Sequence, residues 1–170
     1  YQHPKTEVFN IVINKPAVHY EQPLKVVSVS DIHLGYGTDK EELKQYVEMI
    51  NAQKPDLILI GGDLIDSSVV PLYEEKMMEE LAELKAPLGI YMVPGNHEYI
   101  SGIRKSMQFI NETPIRLLRD EVVTLPGGIQ IVGRDDRSNK SRLSLQELMK
   151  NIDPAKPVIL LDHQPYDLPD

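Results

Sequence analysis

The chain contains no cysteine, which excludes disulfides and thiolate metal sites. A secreted protein need not carry any, so the absence leaves the compartment open. Basic charge is also scarce: 18 Lys and Arg stand against 26 Asp and Glu, a formal charge of −8, with no basic block. That balance argues against a broad electrostatic footprint for nucleic acid. No apolar run approaches the roughly 20 residues of a membrane helix, and no signal peptide is visible. The 170 residues are enough for one domain, or most of one, with a substantial core. The chain opens on Tyr1 and closes on Asp170 soon after a candidate site residue, so it is expected to be a fragment.

What the chain does contain is a recurrent strand ending. An apolar run, Leu24 to Val29, leads into Ser30-Asp31-Ile32-His33-Leu34-Gly35. A second, Asp56 to Ile60, ends in Gly61-Gly62-Asp63, and a third, Leu88 to Val93, ends in Pro94-Gly95-Asn96-His97-Glu98. A fourth begins at Val158 and ends in Asp162-His163. Asp and neutral His are divalent-metal ligands, and a strand end is a rigid place to hold them. Asp31, Asp63 and Asn96 are 32 and 33 residues apart, one β-α unit each, with no sequence repeat beyond that.

Between these strands lie helical patterns. Thr38 and Glu41 have capping-box spacing, and Leu43, Val47 and Ile50 share one face, predicting a helix over 39–53 that Pro55 stops. A loop through Pro71 precedes a second helix marked by Met77, Met78, Leu81 and Leu84 and ended by Pro87; the Met pair reads as core filling. The β-α-β-α-β order predicts a parallel sheet with right-handed crossovers and ligands beyond its carboxyl edge. Further on, Ile103, Met107 and Ile110 predict a short helix, and 115–118 a strand. Residues 122–125 and 129–132 flank a Pro126-Gly127-Gly128 hairpin turn. Ser144 and Glu147 form a second capping box, with Leu145, Leu148 and Met149 turned inward. These later strands predict a second sheet packed on the first. Residues 1–23 read as a polar lead, with an edge strand around Val8, Ile11 and Ile13, and 24–170 as the domain proper.

The residue types at the strand ends carry chemistry. Asp31 and His33 can share one ion, and Asp63 has two oxygens with which to bridge two. Asn96 offers an amide oxygen and His163 an imidazole nitrogen. Such mixed sets suit Mn, Fe or Zn better than Ca or Mg. Two divalent ions, two carboxylates and a bound hydroxide leave a net charge of about +1, which draws an anion such as phosphate to an otherwise acidic protein. Metals roughly 3.5–4 Å apart clamp a phosphoryl group and lower the pKa of bound water toward about 7. His97, beside Asn96 in what reads as an extended segment, points elsewhere and suits a general acid or hydrogen-bond donor. Glu98 suits a partner that holds His97 in one tautomer. Taken singly, Asp31 and Asp63 read equally well as caps or turn residues, and His33 and His163 as structural histidines. All four strand ends taken together favour the metal reading. Asp66 reads as a loop cap, and Gly133-Arg134-Asp135-Asp136-Arg137 as a surface turn.

In residue type, order and strand context, Asp31-Ile-His33, Gly62-Asp63, Gly95-Asn96-His97-Glu98 and His163 resemble the motifs of the calcineurin-like metallophosphoesterases. The resemblance covers about residues 25 to 165. It implies a four-layer α/β/β/α sandwich of two mixed sheets flanked by helices, and two divalent metal ions. It also implies that Asp31 and His33 bind the first metal, that Asp63 bridges, that Asn96 and His163 bind the second, and that His97 is catalytic. The implied activity is hydrolysis of phosphomonoester, phosphodiester or phosphoanhydride bonds by a metal-bridging hydroxide.

The chain is also similar to bacterial members held at membranes by N-terminal segments, some of which cleave lipid precursors such as UDP-diacylglucosamine. The family's last motif, Gly-His-x-His, would follow His163, and neither His3 nor His19 replaces it. The fragment is therefore expected to bind metal weakly, with little or no activity by itself. The rival readings are a non-catalytic protein-binding scaffold on the same fold and a nucleic-acid-cleaving member; the charge of −8 weighs against the latter.

Overall fold

A computed structural model describes residues 4–15, 20 and 22–166. His3, Pro16, His19 and residues 167–170 lie outside them. Strands β1 (Val26–Val29), β2 (Leu57–Ile60), β3 (Ile90–Met92) and β4 (Ile115–Leu117) form one sheet in that order, every pair parallel. Helix α1 (Lys40–Ala52) connects β1 to β2, and α2 (Val70–Glu74) with α3 (Met77–Leu81) connects β2 to β3. Helices α4 (Asn96–Ile100) and α5 (Ile103–Asn111) lead on to β4. The second sheet is mixed. Strands β5 (Glu121–Thr124) and β6 (Gln130–Gly133) make the antiparallel hairpin, and β7 (Val158–Leu161) pairs parallel to β6 after helix α6 (Leu145–Met149).

Why two layers cover the first sheet is visible in β2. All four residues of its Leu-Ile-Leu-Ile run are buried, and successive side chains point to opposite faces. Ile58 and Ile60 join a core with Leu43 and Val47 of α1, Met77 and Leu81 of α3, and Phe109 and Ile110 of α5. Leu57 and Leu59 join another with Val123, Ile131 and Leu161 of the second sheet. Fully burying each such side chain is worth about 1.5–3 kcal/mol. On the far side of β6, Gln130 Nε2 donates to Asp153 O at 2.8 Å and Gln130 Oε1 accepts the Asp153 N–H at 2.6 Å. Leu148 of α6 is buried as well. The result is the expected α/β/β/α sandwich, with one difference: the second sheet is mixed as expected, but among the described residues the first is parallel throughout, because each of its strands is joined to the next by a helical crossover.

Several local expectations shift. The α1 box forms one residue later: Asp39 accepts the Glu42 N–H at 2.9 Å. Thr38 instead turns inward, its Oγ1 donating to Ile32 O at 2.6 Å. Pro71 lies not in a loop but in the first turn of α2, where a missing N–H costs nothing. Lys76, at φ 53°, then separates α2 from α3, which ends at Leu81 rather than near Pro87. Met77 is buried and Met78 packs against the same core, as expected. The Ser144–Glu147 box forms, but α6 is so short that only Leu148 is buried and Met149 is exposed. Residues 4–15 form no strand, contrary to the edge strand expected there, and Val8, Ile11 and their apolar neighbours are exposed. Among the described residues no helix is long and apolar enough to cross a membrane.

Register places the site. Val29 pairs with Ile60, and Ile60 with Met92. The first three strands therefore stop on one row, and the chain leaves each of them at the same edge.

Candidate metal centre

Beyond that row the first two loops run together. The Asp31 N–H donates to Gly62 O and the His33 N–H to Asp63 O, both at 3.0 Å, and the Leu34 N–H to Leu64 O at 2.7 Å. Three side-chain-bearing residues here, Asp31 (φ 56°), His33 (φ 53°) and Asp63 (φ 52°), lie in the left-handed region. Asp and His adopt that conformation more readily than most side chains, and the loop-to-loop hydrogen bonds hold it here. The third loop approaches closely because of glycine. A Cβ on Gly95 would stand 2.1 Å from Asp63 Oδ1, and one on Gly62 would stand 2.7 Å from His163 Nδ1.

The structure brings all the sequence-predicted ligand candidates together. Asp63 Oδ2 lies 3.8 Å from His33 Nε2 and 3.3 Å from His163 Nε2. Asp31 Oδ1 is 3.9 Å from His33 Nε2, and Asn96 Oδ1 is 3.3 Å from His163 Nε2. Ligand bonds of about 2.0–2.2 Å put two ligands of one ion roughly 3–3.5 Å apart, so the two 3.3 Å pairs match a shared cation and the 3.8 and 3.9 Å pairs stand a few tenths of an ångström wider. Donor atoms of Asp31, Asp63 and His163 all lie within 4.8 Å of one another, as do those of His33, Asp66 and His97. The His163 ring is oriented by Nδ1, 2.8 Å from Gly61 O, which turns Nε2 toward Asp63.

Asn96 and His97 are not in an extended segment. They open α4, whose N-cap is Gly95. Glycine has no side chain with which to cap, and Asp63 supplies the missing acceptor: its Oδ1 takes the His97 N–H at 2.9 Å. The His97 ring is then set by Asp66 rather than by Glu98. His97 Nδ1 lies 2.6 Å from Asp66 O and 3.4 Å from Asp66 Oδ1. Donation from Nδ1–H to that carbonyl leaves Nε2 for a ligand or substrate. The same Asp66 carboxylate is 3.4 Å from His33 Nδ1, and the two rings meet edge to face at 4.5 Å between centroids. Asp66 is thus a site residue that the sequence pattern alone assigns to a loop cap. Its signal was the Asp63-x-x-Asp66 spacing, which lacks meaning until the loop's turn is known.

Glu98 does not touch the His97 ring. It is fully buried, and its carboxylate accepts the N–H groups of Asp63, Gly95 and Ile65 at 2.9, 2.7 and 2.9 Å. Burial raises its pKa above the usual carboxylate value, and these three bonds offset that only in part. Burial also pushes Asp63 upward, but its hydrogen bonds to the His163 ring and to the His97 N–H outweigh this and leave its pKa low. The hydrogen bond to Asp63 pushes His163 up to about 9 against the opposing effect of burial.

Behind the site, the stretch expected to be a surface turn is buried from Arg134 to Asp136. Two of its charges are matched there. Asp135 accepts from Tyr99 OH at 2.7 Å and from Arg119 Nε at 3.1 Å, while Arg134 Nη1 donates to Asp162 Oδ2 at 3.1 Å. Asp162, adjacent to His163, pairs with Arg134 and Arg142 and accepts the Gln164 N–H at 3.1 Å, which anchors the chain just beyond β7.

Carboxylate and imidazole donors thus converge beyond the carboxyl edge of a parallel sheet, the place where ligands of open α/β folds gather. The chain belongs to the calcineurin-like phosphoesterase family, whose model matches residues 24–169. It is 35% identical over 148 residues to an uncharacterized metallophosphoesterase of Aquifex aeolicus, covering 84% of this chain and 56% of that protein. It is 24% identical over 190 residues to UDP-2,3-diacylglucosamine pyrophosphatase LpxG of Chlamydia muridarum, covering 84% of this chain and 57% of the relative. A 5′-nucleotidase precursor from Thermus thermophilus shares the fold, with a TM-score of 0.55 at 15% identity over 82% of this chain and 36% of that one. The chain spans about half the length of the curated relatives it matches.

Proposed function

We propose that the protein hydrolyses phosphate esters or anhydrides at a binuclear metal centre. In this reading Asp31 and His33 hold one divalent ion, Asn96 and His163 hold the other, and Asp63 bridges them. The observation that carries it is the position of Asp63 Oδ2 between His33 Nε2 and His163 Nε2, at 3.8 and 3.3 Å. Mn, Fe and Zn suit the mixed oxygen and nitrogen donors. Bound there, such ions supply charge neutralisation for a phosphoryl group and water acidic enough to attack near neutral pH.

The chain's own residues do the rest. Asp66 O holds His97 Nδ1–H, so Nε2 carries the second proton when the ring is protonated. From Nε2, His97 donates to the leaving-group oxygen or to a phosphoryl oxygen as charge develops there. Residues 24–170 form the catalytic domain, with 1–23 as its lead. A nucleotide-linked or lipid-linked phosphoanhydride is a substrate class supported by the named activity of the Chlamydia relative.

The test is hydrolysis of p-nitrophenyl phosphate and of its bis-ester with Mn²⁺, run on this chain and on the full-length protein. Turnover by the full-length protein supports the reading, and the ratio of the two rates begins to define the ester class. A folded, metal-loaded full-length protein that cleaves neither ester, nor a nucleoside diphosphate-linked lipid, shifts the reading to a binding scaffold.

A further inference from the structure

Glu98 sits on the first turn of α4 with no exposure to solvent, and among the described residues no cation pairs with it. A buried carboxylate in that position is costly unless its oxygens are hydrogen-bonded. All of its bonds go to backbone. Oε2 takes the N–H groups of Asp63 and Gly95, at 2.9 and 2.7 Å, and Oε1 takes that of Ile65 at 2.9 Å. The bond to Gly95 is half of an ordinary capping box. The bonds to Asp63 and Ile65 are not, because they reach across to the loop that follows β2.

That loop carries Asp63 and Asp66, while α4 carries Asn96 and His97. The two are tied in both directions. Glu98 of α4 accepts from the Asp63 backbone, and the Asp63 carboxylate accepts the His97 N–H of α4 at 2.9 Å. Oδ1 makes that bond, and Oδ2 is the oxygen that faces His33 and His163. Asp63 also holds a left-handed φ of 52°, and its N–H is taken by an acceptor outside its own loop, Glu98 Oε2.

We infer that Glu98 is a positioning residue: its carboxylate holds the Asp63 backbone so that Oδ2 faces both histidines, and it thereby sets the metal affinity of the centre. The inference rests on the metal-site reading above and assigns Glu98 a role separate from the orientation of the His97 ring.

The test is Glu98→Gln in the full-length protein. Glutamine keeps the volume but must turn an NH2 group toward either Ile65 N–H or the pair from Asp63 and Gly95. Mn²⁺ affinity is measured by titration calorimetry on the folded protein, beside far-UV circular dichroism and metal-free melting. The expected result is a loss of affinity on the order of 10–100-fold with the folded spectrum retained, the range typical of partners that orient a ligand. Lower melting with wild-type Mn²⁺ affinity makes Glu98 merely structural and overturns the inference. Where the glutamine variant does not fold, Glu98→Asp decides. It keeps the charge and withdraws the carboxylate by one methylene, so a drop in affinity supports the inference and an unchanged affinity rejects it. A wild-type protein that binds no Mn²⁺ rejects the metal-site reading itself, whereas wild-type binding matched by the variants rejects the role of Glu98 alone.

Discussion

Asp63 Oδ2 stands 3.3 Å from His163 Nε2, joining the end of the second strand of one sheet to the end of the last strand of the other. The contact needs both sheets in place, and each partner perturbs the other: Asp63 is held below the ordinary carboxylate value and His163 is raised to about 9.

That pairing makes metal binding pH-dependent. With its pKa pushed up to about 9, His163 is expected to be protonated near pH 7 in the metal-free protein, so that a cation must displace the proton. Mn²⁺ binding is expected to release about one proton and to strengthen roughly tenfold per pH unit until about pH 9. In the metal-free state the sign for stability follows from the raised histidine. Its stabilisation is complete below the unfolded value near 6.5 and is lost as pH climbs through about 9. Calorimetry in buffers of different ionisation enthalpy measures the proton; no release would mean that His163 is not a ligand.

Asp63→Asn removes the charge from the oxygen that faces both histidines. In the full-length protein it should lose bound metal and lower kcat/KM by roughly 100-fold or more, beyond what orienting partners usually cost. Near-wild-type turnover would reject the bridging assignment.

His97→Ala should lower kcat by about 10²–10⁴-fold, the range of a lost general acid, with metal content by elemental analysis unchanged. Departure of metal along with activity would make His97 a ligand instead.

Asp66→Asn keeps the backbone carbonyl at 2.6 Å from His97 Nδ1 but neutralises the carboxylate beside both rings. A kcat loss of roughly 10–100-fold is expected, smaller than that of His97→Ala. The double variant with His97→Ala should be little worse than His97→Ala alone, because the two act as one unit. Fully additive losses would separate their roles.

Much of this was legible in order and spacing. Continuous apolar runs marked β2 and β7, and helical spacing marked α1 and the core face of α3. The ligand candidates appeared as polar residues where those runs stop. What escaped depended on turns. Asn96 and His97 read as extended because a five-residue helix is too short for periodicity, and its cap comes from Asp63 rather than from Gly95. Asp66 read as a cap because nothing local brings its carboxylate to His33. Residues 134–136 read as a surface turn because their polarity hides the fact that Arg134 and Asp135 each meet an opposite charge far away in sequence.

The sequence by itself determined the order of the core strands, the parallel sense of the first sheet and the residue types at its carboxyl edge, because strand periods and crossover lengths are local properties. Tertiary structure alone decided which atoms face one another. Strand register brings Asp31, Asp63 and Asn96 to one row. Left-handed backbone at Asp31, His33 and Asp63 turns their side chains into it. The second sheet returns His163 from the far end of the chain. Those are relations between segments that never meet in the linear order, and only packing two sheets face to face brings them within bonding distance.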